Sequence, residues 1–175
     1  MKWSPTVVIN KNHDESVALA KKHVQDIKSQ YGEQVFINLI DKKGSQLRIG
    51  TEFTNIVQEI KDQFIKYVWF DFHHECRKMK YENLSKLVNQ VEDKLHGFDY
   101  FMARLDFGFD RREKLNERTC QITNKQIGNI RVNCMDCLDR TNVVQSVLSR
   151  NIAHKQLFAM NLAGQPLGEP FEKFH

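Results

Sequence analysis

The chain has 175 residues, 41% of them hydrophobic and 27% charged, the make-up of one globular domain with a real core. A net charge of +4 and a pI near 8.8 suit an anionic substrate or an anionic membrane surface, and the basic residues are too scattered for a nucleic-acid interface. Four cysteines (Cys76, Cys120, Cys134, Cys137) without a secretory leader pattern point to reduced thiols in a cytosolic setting, and no apolar run nears the roughly 20 residues of a membrane span.

In chain order, TVVIN (6–10) reads as a short apolar strand. Val17, Ala20, Val24, Ile27 and Tyr31 recur at helical spacing, so a helix is expected over 14–31, with Asp14 as its cap and Gly32 past its end. QVFINLI (34–40) is a strand and DKKGSQ (41–46) is turn chemistry. Phe53, Ile56, Val57, Ile60 and Phe64 form a second helical stripe, and YVWFDFH (67–73) reads as a buried strand. Leu84, Leu87, Val88, Val91 and Leu95 mark a third helix ending near Gly97, followed by the strand DYFMARL (99–105). Residues 106–126 are polar and irregular, a hairpin or a surface excursion. IGNIRV (127–132) is a further strand, and a last helix starts at Thr141, with Val143, Val144, Val147, Leu148 and Ile152 on one side. Residues 161–175, with Gly164, Pro166, Gly168 and Pro170, read as a loosely structured tail. Strands separated by helices imply an α/β fold, its largely parallel or mixed sheet flanked by helices. Such folds bind ligands beyond the carboxyl ends of the strands.

NCMDCLDRTN (133–142) stands at such a junction. Cys134 and Arg140 are separated by five residues and Thr141 opens the helix, a Cys-x5-Arg loop between strand and helix. Curling such a loop points backbone N–H groups inward, and the helix start adds positive dipole. Arg140 then grips phosphate oxygens with its planar fork, while Cys134 at the base is favoured as thiolate, the nucleophilic form. The implied chemistry is attack of Cys134 on phosphorus, release of an alkoxide, and hydrolysis of the cysteinyl-phosphate by water, with the Thr141 hydroxyl easing departure of the sulfur. No metal or other cofactor is needed, because the arginine and the amides meet the developing charge. Either Asp136 or Asp139 is the general acid, unless both are structural loop acceptors. Met135, Cys137, Leu138 and Asn142 are the remaining expected substrate contacts. Two acids and no lysine in the loop favour a substrate with one phosphate, or few. The competing readings are a zinc half-site, which lacks a second cysteine pair, and a redox pair, which leaves Arg140 unexplained. A protein-tyrosine phosphatase would use the same loop, but no separate Trp-Pro-Asp segment accompanies it.

RVNCMDCLDRTNVVQ (131–145) resembles the signature of the Sac-domain phosphoinositide phosphatases, R-x-N-C-x-D-C-L-D-R-T-N, and FDFHHEC (70–76) and VFINLIDKKGSQ (35–46) resemble two further blocks of that family. The resemblance runs from about residue 30 to about residue 160 and is nearest to the endoplasmic-reticulum/Golgi branch that hydrolyses phosphatidylinositol 4-phosphate and some other singly phosphorylated inositol lipids. It implies Cys134 as nucleophile, Arg140 as phosphate clamp, Asp136 and Asp139 as acidic participants and His73 beside the site. It also implies a phosphoinositide on the cytosolic face of those membranes as partner, with no role for nucleic acid. Val132 stands where the family usually carries a hydroxyl residue. Family members run to several hundred residues, so residues 1–175 are expected to be part of a Sac catalytic domain, without its N-terminal half or a C-terminal membrane segment. A phosphoinositide-binding fragment without turnover is the alternative.

Overall fold

The computed structural model describes residues 8–106 and 119–162. At its centre is β1 (Glu33–Asn38), paired in parallel with β2 (Ile65–Trp69) on one side and β5 (Gly128–Asn133) on the other. Val35 and Ile37 of β1 are fully buried and Phe36 nearly so, which is why this strand reads as a continuous apolar run.

Two layers of helix cover the sheet. On one face, Phe53 of α2 (Gly44–Ile60) stacks on Phe36 at 6.2 Å and meets Tyr67 edge-on at 5.5 Å, while Gly50 lets the helix backbone close on the Trp69 ring. Beside α2 on this face lies α1 (His13–Tyr31), joined to it where the His13 ring contacts Glu52 at 2.7 Å and Glu59 at 2.9 Å, and to β5 through His23 and Arg131. On the other face, Leu84, Leu87, Val88 and Val91 of α4 (Leu84–Gly97) and Val144, Val147 and Leu148 of α5 (Asp139–Ala159) share one core with Val35, Ile37 and Leu39. Burying each such side chain is worth about 1.5–3 kcal/mol. β3 (Met102–Asp106) and β4 (Thr119–Asn124) pair antiparallel as a separate ribbon, so part of the stretch read as irregular is indeed a hairpin strand.

Several expected boundaries move. Residues 8–10 belong to no strand, and residues 6 and 7 lie outside the described ones. The cap of α1 is Asn12, whose side chain accepts the Glu15 N–H, and Asp14 sits inside the first turn. α2 begins at Gly44, inside the stretch expected to be a turn, where Gly44 bends with φ +59° and the Leu47 N–H donates to the Lys43 carbonyl at 3.3 Å. The strand expected to reach residue 73 ends at Trp69. Asp71 then accepts the His74 N–H and caps the short helix α3 (Phe72–Glu75), so His73 is helical. β3 starts at Met102, three residues later than expected, after Asp99 turns with φ +57°. α5 begins two residues early, at Asp139, which brings Arg140 into its first turn. The expected tail lies outside the described residues beyond position 162. Among the described residues no helix is long and apolar enough to cross a membrane.

Candidate active site

The three parallel strands end together, and the residues of interest stand just beyond them. The Leu39 N–H donates to the Asn133 carbonyl (2.8 Å) and the Phe70 N–H to the Asn38 carbonyl (2.9 Å), which extends the ladder past the strands and sets Cys134 beside Leu39. Asn38, fully buried, braces this edge from below. Its Oδ1 accepts from Asn133 Nδ2 (3.1 Å) and the Ile40 N–H (3.4 Å), and its Nδ2 donates to the Tyr67 hydroxyl (3.1 Å). Tyr67 also meets the Thr54 hydroxyl at 3.0 Å, and burial raises its pKa. This polar chain through Asn133, Asn38, Tyr67 and Thr54 ties the residue before Cys134 to β2 and α2.

Three groups converge on the Cys134 sulfur. The Cys137 N–H donates to it at 3.2 Å and the Thr141 hydroxyl at 3.4 Å, while the thiol donates to Asp136 Oδ1 at 3.2 Å. Cys134 and Thr141 are both buried, one at the end of β5 and one in the first turn of α5. Cys137, which supplies this amide, adopts φ +53°. Its own thiol points elsewhere, to the Cys134 carbonyl at 3.5 Å, and both cysteines are free. Asp136 Oδ1 also accepts the Leu138 N–H at 3.2 Å. The Cys134 hydrogen bond first, and the Leu138 amide second, lower the pKa of this exposed carboxyl. At rest Asp136 is therefore an acceptor facing the thiol, and it can act as a general acid only after taking up a proton.

Arg140 turns toward the end of β1. Its Nη1 donates to the Leu39 carbonyl at 3.5 Å, Asp41 Oδ1 at 3.4 Å and Gln46 Oε1 at 3.4 Å. These are long contacts, a guanidinium shared loosely among three oxygens. Asp41 Oδ1 is also 2.8 Å from His73 Nδ1, so the two blocks resembling the Sac family meet at one carboxylate. Gln46 Oε1 also accepts the Asp41 N–H at 3.1 Å and holds that turn. Asp41, Gln46, Asn38 and Asn133 are absent from the sequence-derived site. DKKGSQ reads as ordinary turn chemistry, and only its partners across the sheet give it meaning.

The other candidates lie around the loop. Met135 packs against the core, Leu138 is 58% exposed, and Asp139 and Asn142 are exposed at the start of α5. No side chain caps α5, and its first bonded amide, Asn142 N–H, donates to the Leu138 carbonyl at 2.9 Å. Val132 is buried in the core, so its departure from the usual hydroxyl residue is met by packing. No three metal-ligating side chains stand together among the described residues, and Cys76 and Cys120 do not join the Cys134–Cys137 pair.

A family profile described as the SacI homology domain matches residues 1–77. The phosphatidylinositol-3-phosphatase SAC1-A of Danio rerio is 37% identical over 179 residues, which take in 100% of this chain and 28% of that protein. The phosphatidylinositol-3-phosphatase SAC1 of Saccharomyces cerevisiae is 38% identical over 157 residues, 89% of this chain and 23% of that protein. The phosphoinositide phosphatase SAC6 of Arabidopsis thaliana is 34% identical over 151 residues, 86% of this chain and 23% of that protein. The chain thus spans about a quarter of the length of the curated relatives it matches.

Proposed function

We propose that this chain, which matches the SacI homology domain over residues 1–77 and is similar to SAC1 phosphoinositide phosphatases over most of its length, is a member of that family and removes the single phosphate of an inositol lipid through a cysteinyl-phosphate on Cys134. The observation that carries this reading is the convergence of the Cys137 amide, the Thr141 hydroxyl and the Asp136 carboxylate on one buried sulfur at a strand-to-helix junction. As substrate arrives, the Cys134 thiol gives its proton to Asp136, and the thiolate attacks phosphorus. The sulfur–phosphorus bond forms, the phosphorus–oxygen ester bond breaks, and Asp136 returns the proton to the departing inositol oxygen. Water then attacks the cysteinyl-phosphate, losing its proton to Asp136. Inorganic phosphate leaves, and the Thr141 hydroxyl and Cys137 amide stabilise the returning thiolate. Arg140, released from Asp41 by the incoming dianion, and the uncapped start of α5 carry the positive charge in this scheme, with no metal. Asp139, exposed in the first turn of α5, is the alternative proton donor.

The substrate proposed first is phosphatidylinositol 4-phosphate, on the signature's resemblance to the endoplasmic-reticulum/Golgi branch. The names of the zebrafish and yeast relatives favour the 3-phosphate as a second reading. Exposed Leu138 beside the loop supports action at a membrane surface, and the cytosolic face of those organelles is the proposed place.

The test is phosphate release from vesicles carrying either the 3-phosphate or the 4-phosphate lipid, with the parent chain and Cys134→Ser. Release from either lipid that Cys134→Ser abolishes is the expected result, and the faster lipid names the position. Release that persists in Cys134→Ser overturns the mechanism. Vesicle binding without release makes the chain a non-catalytic phosphoinositide module.

A further inference from the structure

Lys42 and Lys43, which follow Asp41 in the chain, border a recess. It has a volume of about 570 Å³ and lies at the carboxyl end of β2, lined by Lys42, Lys43, Trp69, Asp71, Glu75 and Lys86 among others. Its lining carries three lysines against two acidic side chains, a net excess of one positive charge. Asp71 accepts the His74 N–H at 3.0 Å and the Lys42 N–H at 2.9 Å, one on each oxygen. Glu75 Oε2 takes Lys86 Nζ at 2.9 Å. Neither Lys42 nor Lys43 has a carboxylate within ion-pair distance among the described residues. The Lys42 ammonium stands 5.4 Å from the centre of the Trp69 ring. That ring is held rigidly, since its Nε1–H donates to the Ile40 carbonyl at 2.8 Å and Gly50 backs it. The recess therefore combines uncompensated positive charge with a fixed, partly exposed aromatic wall.

We propose that this recess is an anion site separate from Cys134, taking the phosphate of a phosphorylated polyol between Lys42, Lys43 and Lys86 while a ring C–H face lies on Trp69. Lysines suit phosphate as point charges, and the indole face suits the apolar face of a polyol ring better than a bare inorganic ion. The tether from Asp71 to the Lys42 amide keeps the first lysine at the rim, and Lys42 directly follows Asp41, the partner of Arg140. The choice of a polyol phosphate rests on the family reading above. The charge and shape of the recess do not.

Trp3 and Trp69 are the two tryptophans of the chain, so Trp3→Phe leaves Trp69 as sole reporter. Its fluorescence is titrated in that background, at constant ionic strength, with inositol 1-phosphate, with inorganic phosphate, and with phosphatidylcholine vesicles with or without phosphatidylinositol 4-phosphate. A saturable change is expected with inositol 1-phosphate, or with the anionic vesicles alone if the source is a lipid headgroup. The apparent Kd rises at least about tenfold in Lys42→Ala/Lys43→Ala and is restored by Lys42→Arg/Lys43→Arg, as the loss and return of two charged contacts require. Cys134→Ser leaves the titration unchanged, so the site stands or falls apart from catalysis. An absent or lysine-independent signal overturns the proposal. So does loss of the signal in Cys134→Ser, or inorganic phosphate binding as tightly as the polyol phosphate.

Discussion

Replacing Asn38 by alanine tests whether the buried polar chain beneath Cys134 holds the carboxyl edge of the sheet together. The side chain is fully buried and makes three hydrogen bonds, to Asn133 Nδ2, the Ile40 N–H and the Tyr67 hydroxyl. In Asn38→Ala the Tyr67 hydroxyl keeps Thr54, but Asn133 Nδ2 and the Ile40 N–H lose their acceptor. An orphaned buried donor costs about 1–3 kcal/mol, and Asn133 is only partly buried, so a loss of about 2–3 kcal/mol is expected. Urea unfolding followed by circular dichroism reads this as a fall in midpoint of roughly 1–1.5 M at a typical slope of about 2 kcal/mol per M. Asn38→Leu refills the volume but orphans the same donors, so it is expected to be no more stable than Asn38→Ala. Pairing Asn38→Ala with Tyr67→Phe isolates their shared bond, with a coupling of about 0.5–1.5 kcal/mol. A midpoint shift below about 0.3 M in Asn38→Ala, or a leucine variant as stable as the parent, would refute the reasoning and leave Asn38 as packing alone.

Three further outcomes follow from particular contacts. In Gly50→Ala the new Cβ would stand 2.2 Å from the Trp69 ring, so overpacking of about 1–3 kcal/mol outweighs the helix propensity of about 1 kcal/mol gained; a raised melting temperature would contradict the tight packing of α2 on β2. Glu59 first, and Glu52 second, raise the pKa of His13, so its contribution to the α1–α2 contact is full below the unfolded value near 6.5 and fades as pH rises through the higher folded value. Hydrogen exchange of α1 amides is expected to show less protection at pH 8.5 than at pH 6, a difference that Glu52→Gln/Glu59→Gln removes; a pH-independent native chain would count against it. Burial first, and the Glu75 charge second, push the Cys76 thiol up to about 11, so alkylation at pH 8 is expected to spare Cys76 while exposed Cys120 and Cys137 react, and early labelling of Cys76 would sink that assignment.

The elements that were legible in the sequence are those whose apolar pattern is strong and local. The stripe of Leu84, Leu87, Val88 and Val91 on α4, and the run through Val35 and Ile37 on β1, mark helix and central strand without ambiguity. The errors fall where a polar side chain makes a local contact that periodicity does not register. Asp71 turns an aromatic run from strand to helix by capping it, and Asn12 moves the start of α1. The Cys134 loop was legible as a candidate site because its residues are contiguous in sequence. Asp41 and Gln46 were not, because their partner Arg140 is 99 and 94 residues away and reaches them only once β1 and β5 are paired.

The left-handed backbone of Cys137 has one more implication. What reaches the Cys134 sulfur from that position is the backbone amide; the side chain contributes nothing to the contact. Glycine or asparagine enters that conformation readily, whereas a β-branched residue resists it. Position 137 therefore tolerates loss of its sulfur far better than loss of its bend, and the two thiols of the motif are neighbours in the chain with separate duties.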